Sequence, residues 1–134
     1  MSFFKDIQIA LDTRLNALAG GVSIAWENTR SVPVYKTPYM RPTVLMASSD
    51  LMDMNDLQLN TGIYQIDVFY PTDRGSAELL TQLDAVYDHF KGDLTLVSNN
   101  VVVYVKQISR TTPAVREDSW LKGIIEVSFR CYSN

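Results

Sequence analysis

Histidine, cysteine and clustered carboxylates are the side chains through which this chain could do chemistry, and it holds few of them. His89 is the single histidine, so any relay from an acid through an imidazole to a nucleophile must use it. It stands near the end of a helical pattern, beside Phe90 and Lys91. No Gly-x-Ser-x-Gly turn supplies an elbow for a serine nucleophile. A basic side chain in the last turn of a helix is favoured by the dipole alone, which gives His89 a structural reason to be there. Cys131 is the lone cysteine. An intrachain disulfide is therefore excluded, as is a zinc site built on thiolates. Its alternating surroundings suit a small buried residue, and no electropositive setting that would activate a thiol is visible.

Asp50, Asp53 and Asp56 recur every third residue, with Asn55 among them. Oxygen ligands at short spacing suit a hard cation, but the glycine and closing glutamate of a calcium loop are missing. A solvated acidic loop is the simpler reading. Leu51, Met52 and Met54 in the same loop point instead to a partner surface, since apolar side chains in a polar loop need cover. Asp73, Arg74, Gly75 and Ser76 precede a helix, where a phosphate can bind. With one glycine and no Walker lysine, turn chemistry and capping account for them. Trp26, Trp120 and Tyr64 could stack on a small molecule, although large aromatics at strand positions more often form core or interface. No cofactor motif and no acid, base and nucleophile constellation emerges, so the expectation is a protein that is not an enzyme.

The elements that would position these residues follow from periodicity. Phe4, Ile7, Leu11, Leu15 and Leu18 fall at helical spacing, predicting a helix over residues 3–18 that Gly20 and Gly21 stop. Its other face carries Lys5, Gln8, Asp12 and Asn16. Val22, Ile24 and Trp26 alternate as a first strand. A second runs over 39–47, interrupted near Pro42, and residues 48–56 read as a polar loop. The third strand covers about 57–70, bends at Gly62 and stops at Pro71, which cannot donate to a ladder. Tyr64, Ile66, Val68 and Tyr70 share one face of it, Gln65 and Asp67 the other.

Ser76 caps a second helix whose Leu79, Leu83, Val86 and Phe90 form an apolar stripe ended by Gly92. A hairpin over 94–108 turns at Asn99 and Asn100. Residues 110–119, with Pro113, read as a polar loop. The last strand, 120–132, places Ile125, Val127, Phe129 and Cys131 on one face and Glu126, Ser128 and Arg130 on the other.

Helix, strands, helix, strands predicts an α+β fold: a mostly antiparallel sheet of about five to six strands with two helices packed on one face. The 134 residues suit one domain over 1–134. A formal net charge of -3, without a Lys/Arg run, argues against a dedicated nucleic-acid binder. No apolar run reaches the ~20 residues of a membrane helix and no signal-peptide core is seen, so residence in, or assembly from, the cytoplasm is expected.

One set of residues carries a resemblance. Ala10, Leu11, Arg14 and Leu15 come first, followed by Ala25-Trp26-Glu27-Asn28 and Pro38-Tyr39-Met40-Arg41. Then come Gly62-Ile63-Tyr64-Gln65 running to Pro71, Gly75, Phe90 with Gly92, and Trp120. In order and spacing this resembles the tail terminator proteins of long-tailed bacteriophages and prophages, of the lambda minor-tail-protein-U type. The resemblance implies a small α+β subunit of a hexameric ring on the head-proximal end of the tail tube. Such a ring ends tube growth, meets the head connector and lets DNA through its hole without specific binding. It implies a virion location, no membrane, and partners in the tube protein and the head-side connector. Candidate contacts are Asp50, Leu51, Met52, Asp53, Met54, Asp73, Arg74 and Arg116, in the loops at 48–56 and 111–119 and around Gly75. Lys5, Arg14, Arg74 and Arg116 are the cations to inspect for the channel. Another head–tail connector or completion protein, or a small-molecule-binding module, is the alternative.

Overall fold

The computed structural model describes residues 3–18, 22–26, 37–51, 58–72, 77–92, 94–117 and 120–133. In chain order the elements are α1 (Phe3–Asn16), β1 (Ser23–Ile24), β2 (Tyr39–Leu51), β3 (Gln58–Pro71), α2 (Ala77–Phe90), β4 (Thr95–Ser98), β5 (Val101–Glu117) and β6 (Trp120–Ser133). They build a six-stranded sheet in the order β1-β2-β3-β6-β5-β4. Only β1 and β2 run parallel; the other neighbours are antiparallel. The sheet curls as a half-barrel with both helices packed on it, so the expected α+β fold is what forms.

The helical stripes do what their spacing requires. Ile7, Leu11 and Leu15 of α1, with Leu79, Leu83, Val86 and Phe90 of α2, are buried in one cluster with Ile66, Val68, Val127 and Phe129. Pleating places Tyr64, Ile66 and Val68 on the same face as Ile125, Val127 and Phe129. Two glycines make the close packing possible by lacking a side chain. A Cβ on Gly123 would lie 2.4 Å from Leu83 Cδ1, so α2 seats a leucine directly on β6. A Cβ on Gly62 would lie 2.7 Å from both Phe129 Cζ and the Leu45 carbonyl oxygen. Gly62 is thus a space-saving residue within β3; the irregularity beside it is a register shift on β2, between Met46 and Ser48.

Several expected loops are strand. Residues 48–51 continue β2 and pair with 58–61 of β3. Residues 110–117, read as a polar loop, continue β5 and pair with β6 as far as Glu117 opposite Trp120. Pro113 falls where the β5–β6 register shifts, between Thr111 and Val115. A ladder irregularity of this kind is where a strand tolerates proline. Pro42 is accommodated differently. β1 pairs with Tyr39 and Met40, so among the described residues β2 is an edge strand beyond that point. β1 itself is shorter than the alternation of residues 22–26 suggested. The Asn99–Asn100 turn forms as expected, with Asn99 at φ 54°. α2 stops before Gly92, whose φ of 89° is the left-handed conformation that suits glycine.

β3 and β6 run side by side in unbroken register, from Gln58 opposite Ser133 to Pro71 opposite Trp120. The ladder end at Leu51 and Gln58 therefore lies at one end of the sheet, beside the close of β6. The ladder end at Glu117 and Trp120 lies at the other, beside Pro71.

Candidate functional site

The polar groups on the helix side are consumed in holding the helices. The Arg14 guanidinium donates to the His89 carbonyl at 2.7 and 3.2 Å, and His89 Nε2 donates to the Arg14 carbonyl at 2.5 Å. That reciprocal clasp joins the last turns of α1 and α2, where carbonyls lack helical partners. It requires the Nε2–H tautomer and occupies both His89 and Arg14. Tyr64 donates its hydroxyl to Asp12 at 2.5 Å, pinning α1 to β3. Asp6, buried in the first turn of α1, accepts from Asn99 at 2.8 Å and Ser98 at 3.4 Å. Each of these polar side chains has a structural duty.

The sheet face away from the helices is different. Asp67, which alternation puts on this outer face, is buried, and so is Phe69. Their cover comes from neighbouring strands. Tyr39 stacks on Phe69 with ring centroids 4.5 Å apart, and Trp120 meets Tyr39 edge-on at 5.2 Å. Arg41 lies 5.0 Å and Lys122 5.8 Å from the Phe69 centroid, both within cation–π range. The same two cations flank the Asp67 carboxylate at 3.4 and 3.9 Å, and Gln65 donates to it at 3.0 Å. Two cations and an amide thus satisfy a carboxylate that is shielded from water. The Arg41 side chain stays 48% exposed, so the cluster shows a cationic edge to solvent.

A second cationic group lies further along β6. Arg130 lies beside the rings of Tyr104 and Tyr132, 6.0 and 5.9 Å from their centroids, with its Nε buried and unpartnered among the described residues. Lys122, Glu126 and Arg130 share one face because strand side chains alternate. Leu45 and Tyr132 are exposed on this same face, and Ile63 and Ile124 are half-buried.

Of the residues singled out from sequence, Tyr39, Arg41, Gln65 and Trp120 come together in this cluster. Tyr64 and Gly62 serve the opposite, helix-covered face, and Pro71 ends β3 against Trp120. Trp26 stands apart. With Ile9, Asp12, Thr13 and Asn16 it borders an open cleft of about 410 Å³, too open to be the deep enclosing cavity that a small-molecule module would need. Glu27, Asn28, Met52, Asp53, Met54, Asp73, Arg74 and Gly75 lie outside the described residues, and so do the side chains of Asp50, Leu51 and Arg116. Phe69, Lys122, Tyr104, Arg130 and Tyr132 were not singled out. For Lys122 and Arg130 the signal was their shared outward parity on β6. Burial pushes the Cys131 thiol up to about 11, which suits an inert core residue. Among the described residues no group of three or more His, Cys, Asp or Glu side chains could hold a metal. No described helix is long and apolar enough to cross a membrane.

The arrangement is a mixed aromatic, arginine and aliphatic surface on a rigid sheet, suited to holding another macromolecule rather than to moving protons or electrons. A family model described as phage tail terminator protein matches residues 6–129, from the first turn of α1 nearly to the end of β6. One solved structure is similar at a TM-score of 0.71 and 25% identity, covering 93% of this chain and 92% of that one. No curated protein matches.

Proposed function

The chain belongs to the phage tail terminator family, and from that premise we propose that it closes the head-proximal end of the tail tube as a ring of identical subunits. The family assigns a structural role in tail assembly; the ring, its place and its contacts are our reading. The observation that carries it is the family match, which spans both helices and nearly all of the sheet. The geometry supports it. The two long hairpin ladders finish at opposite ends of the sheet, so one subunit can meet the tube at one end and the head-side connector at the other. We assign the β2–β3 and β5–β6 hairpin ends to those two contacts.

Termination then has a simple physical form. One face of the ring imitates a tube ring well enough to dock. The other lacks the surface on which the next tube ring would build, so growth stops because a partner is rejected. DNA threads the hole, and a net charge of -3 suits passage rather than grip, because retention requires several phosphates to be neutralised together.

Deleting the gene from the phage and measuring tails by electron microscopy tests this. Tubes of abnormal length without heads are the expected outcome. Filled, tailless heads beside free tails of normal length would overturn the reading in favour of a head-side completion protein.

A further inference from the structure

We infer that subunits associate head to tail, with the exposed stripe of α2 on one chain docking against the open sheet face of the next. This rests on the ring reading above and names the surfaces that build the ring. The sheet face carries Arg41, Lys122 and Arg130 against Asp67 and Glu126, with Leu45 47% and Tyr132 37% exposed among them. Exposed apolar and aromatic groups interspersed with arginine are the composition of a protein interface. A DNA track would instead cluster un-neutralised cations.

The complement lies on the same chain. α2 turns Leu83 and Val86 inward and leaves Leu80 40% exposed. Thr81, Asp84 and Asp88 are exposed with it, on one stripe by helical spacing. Glu78 is exposed at its start, and Lys91, paired with Asp88 at 3.3 Å, is its one cation. An acidic stripe around an exposed leucine thus faces away from one side of the sheet, and an apolar and aromatic surface with more arginine and lysine than carboxylate faces away from the other. A contact between two different surfaces on opposite sides of one chain is heterologous. It closes as a ring if the rotation between subunits divides a full turn. Charge complementarity of this kind also sets orientation, since the reversed pairing of like faces brings like charges together.

The test uses two variants of the full chain at exposed positions: Leu45→Glu with Tyr132→Glu on the sheet face, and Leu80→Lys with Asp84→Lys on α2. Circular dichroism and thermal unfolding check that each folds; Leu45→Asp and Asp88→Lys replace a pair that does not. Sedimentation velocity reads the assembly. Wild type should assemble and each variant alone should be monomeric. Their equimolar mixture should give a one-to-one dimer and nothing larger, because only one intact pair of surfaces remains. Wild type that stays monomeric would overturn the proposal. So would a variant that assembles as wild type does, or a mixture that stays monomeric. A sheet-face variant that assembles normally but loses wild-type retention on duplex DNA would assign that face to the channel instead. Overlong tails in the deletion phage together with unimpaired assembly of both variants would sink this contact alone. Normal tails together with the dimeric mixture would sink only the terminator role.

Discussion

The seating of α2 on β6 can be tested through Leu83 and Gly123. Leu83 is buried, and its Cδ1 and Cδ2 lie 2.4 and 2.9 Å from where a Gly123 Cβ would stand. Leu83→Ala removes the atoms that fill this space and should cost about 2–5 kcal/mol, depending on how far the site collapses. Gly123→Ala inserts a methyl group where there is no room. The nearest atoms are the far end of a side chain, so Leu83 can shift, and the cost should be that of modest overpacking, about 1–3 kcal/mol. The double variant decides the matter. With Leu83 truncated, the new methyl group no longer collides and fills part of the void. The pair should therefore be less destabilised than the sum by about 1–3 kcal/mol, the size expected for residues in direct contact. Urea titrations of all four proteins give the cycle, and equal m values would show that the same transition is compared. Strict additivity within about 0.5 kcal/mol would refute the packing, as would a Leu83→Ala cost below ~1 kcal/mol. The outward stripe of α2 would then be misplaced too.

Gly62→Ala should cost more than Gly123→Ala in the same titration, because its Cβ would meet the Leu45 backbone carbonyl at 2.7 Å, and backbone yields less than a side-chain tip. Arg14→Ala should lower stability by about 1.5–3 kcal/mol, the range for hydrogen bonds to a charged donor, without loss of any assembly activity measured below the unfolding temperature. His89→Ala should behave likewise, and a specific loss of assembly in folded His89→Ala would contradict its purely structural role. Cys131, whose thiol is raised from 9.0 to about 11, should resist thiol reagents at neutral pH until the protein unfolds. Because the folded state holds the proton more tightly, its contribution is complete below about pH 9 and is lost as pH rises toward 11, on the order of 2–3 kcal/mol. Cys131→Ala should flatten that alkaline limb.

Helix positions and the inner sheet face were legible because each follows from the chain's own periodicity. Ile7, Leu11 and Leu15, or Leu79, Leu83 and Val86, announce a buried stripe without reference to anything else. What escaped depends on partners distant in sequence. Nothing within residues 110–117 marks a strand; the ladder there is imposed by β6, and Pro113 suggests the opposite until the register shift is seen. Alternation assigns Asp67 outward, and nothing local marks it or Phe69 as buried. Their burial comes from Tyr39, Arg41, Trp120 and Lys122, which no local pattern connects. Trp120 and Tyr39 were noted from sequence, but only the β2–β3–β6 order makes them neighbours. The loop at 48–56 was partly misread for the same reason: β3 extends the pairing through residue 51.

The dimensions of the elements bear on why the open face matters. Each helix has 14 residues and so spans roughly 21 Å. β3 and β6, also 14 residues each, run roughly 46 Å. Neither helix can cover more than about half of the strands it crosses, and together they pack on one face only. On β3 the inward-facing positions are nonetheless buried from Asn60 to Tyr70, because two helices and the neighbouring strands share the cover along the chain. On the opposite face the chain has fixed Arg41, Phe69 and Lys122 around a shielded carboxylate, so those side chains are already ordered before anything docks. Pre-ordering lowers the entropy cost of association. A pre-arranged face is what a subunit needs if its stable form is one member of a larger assembly.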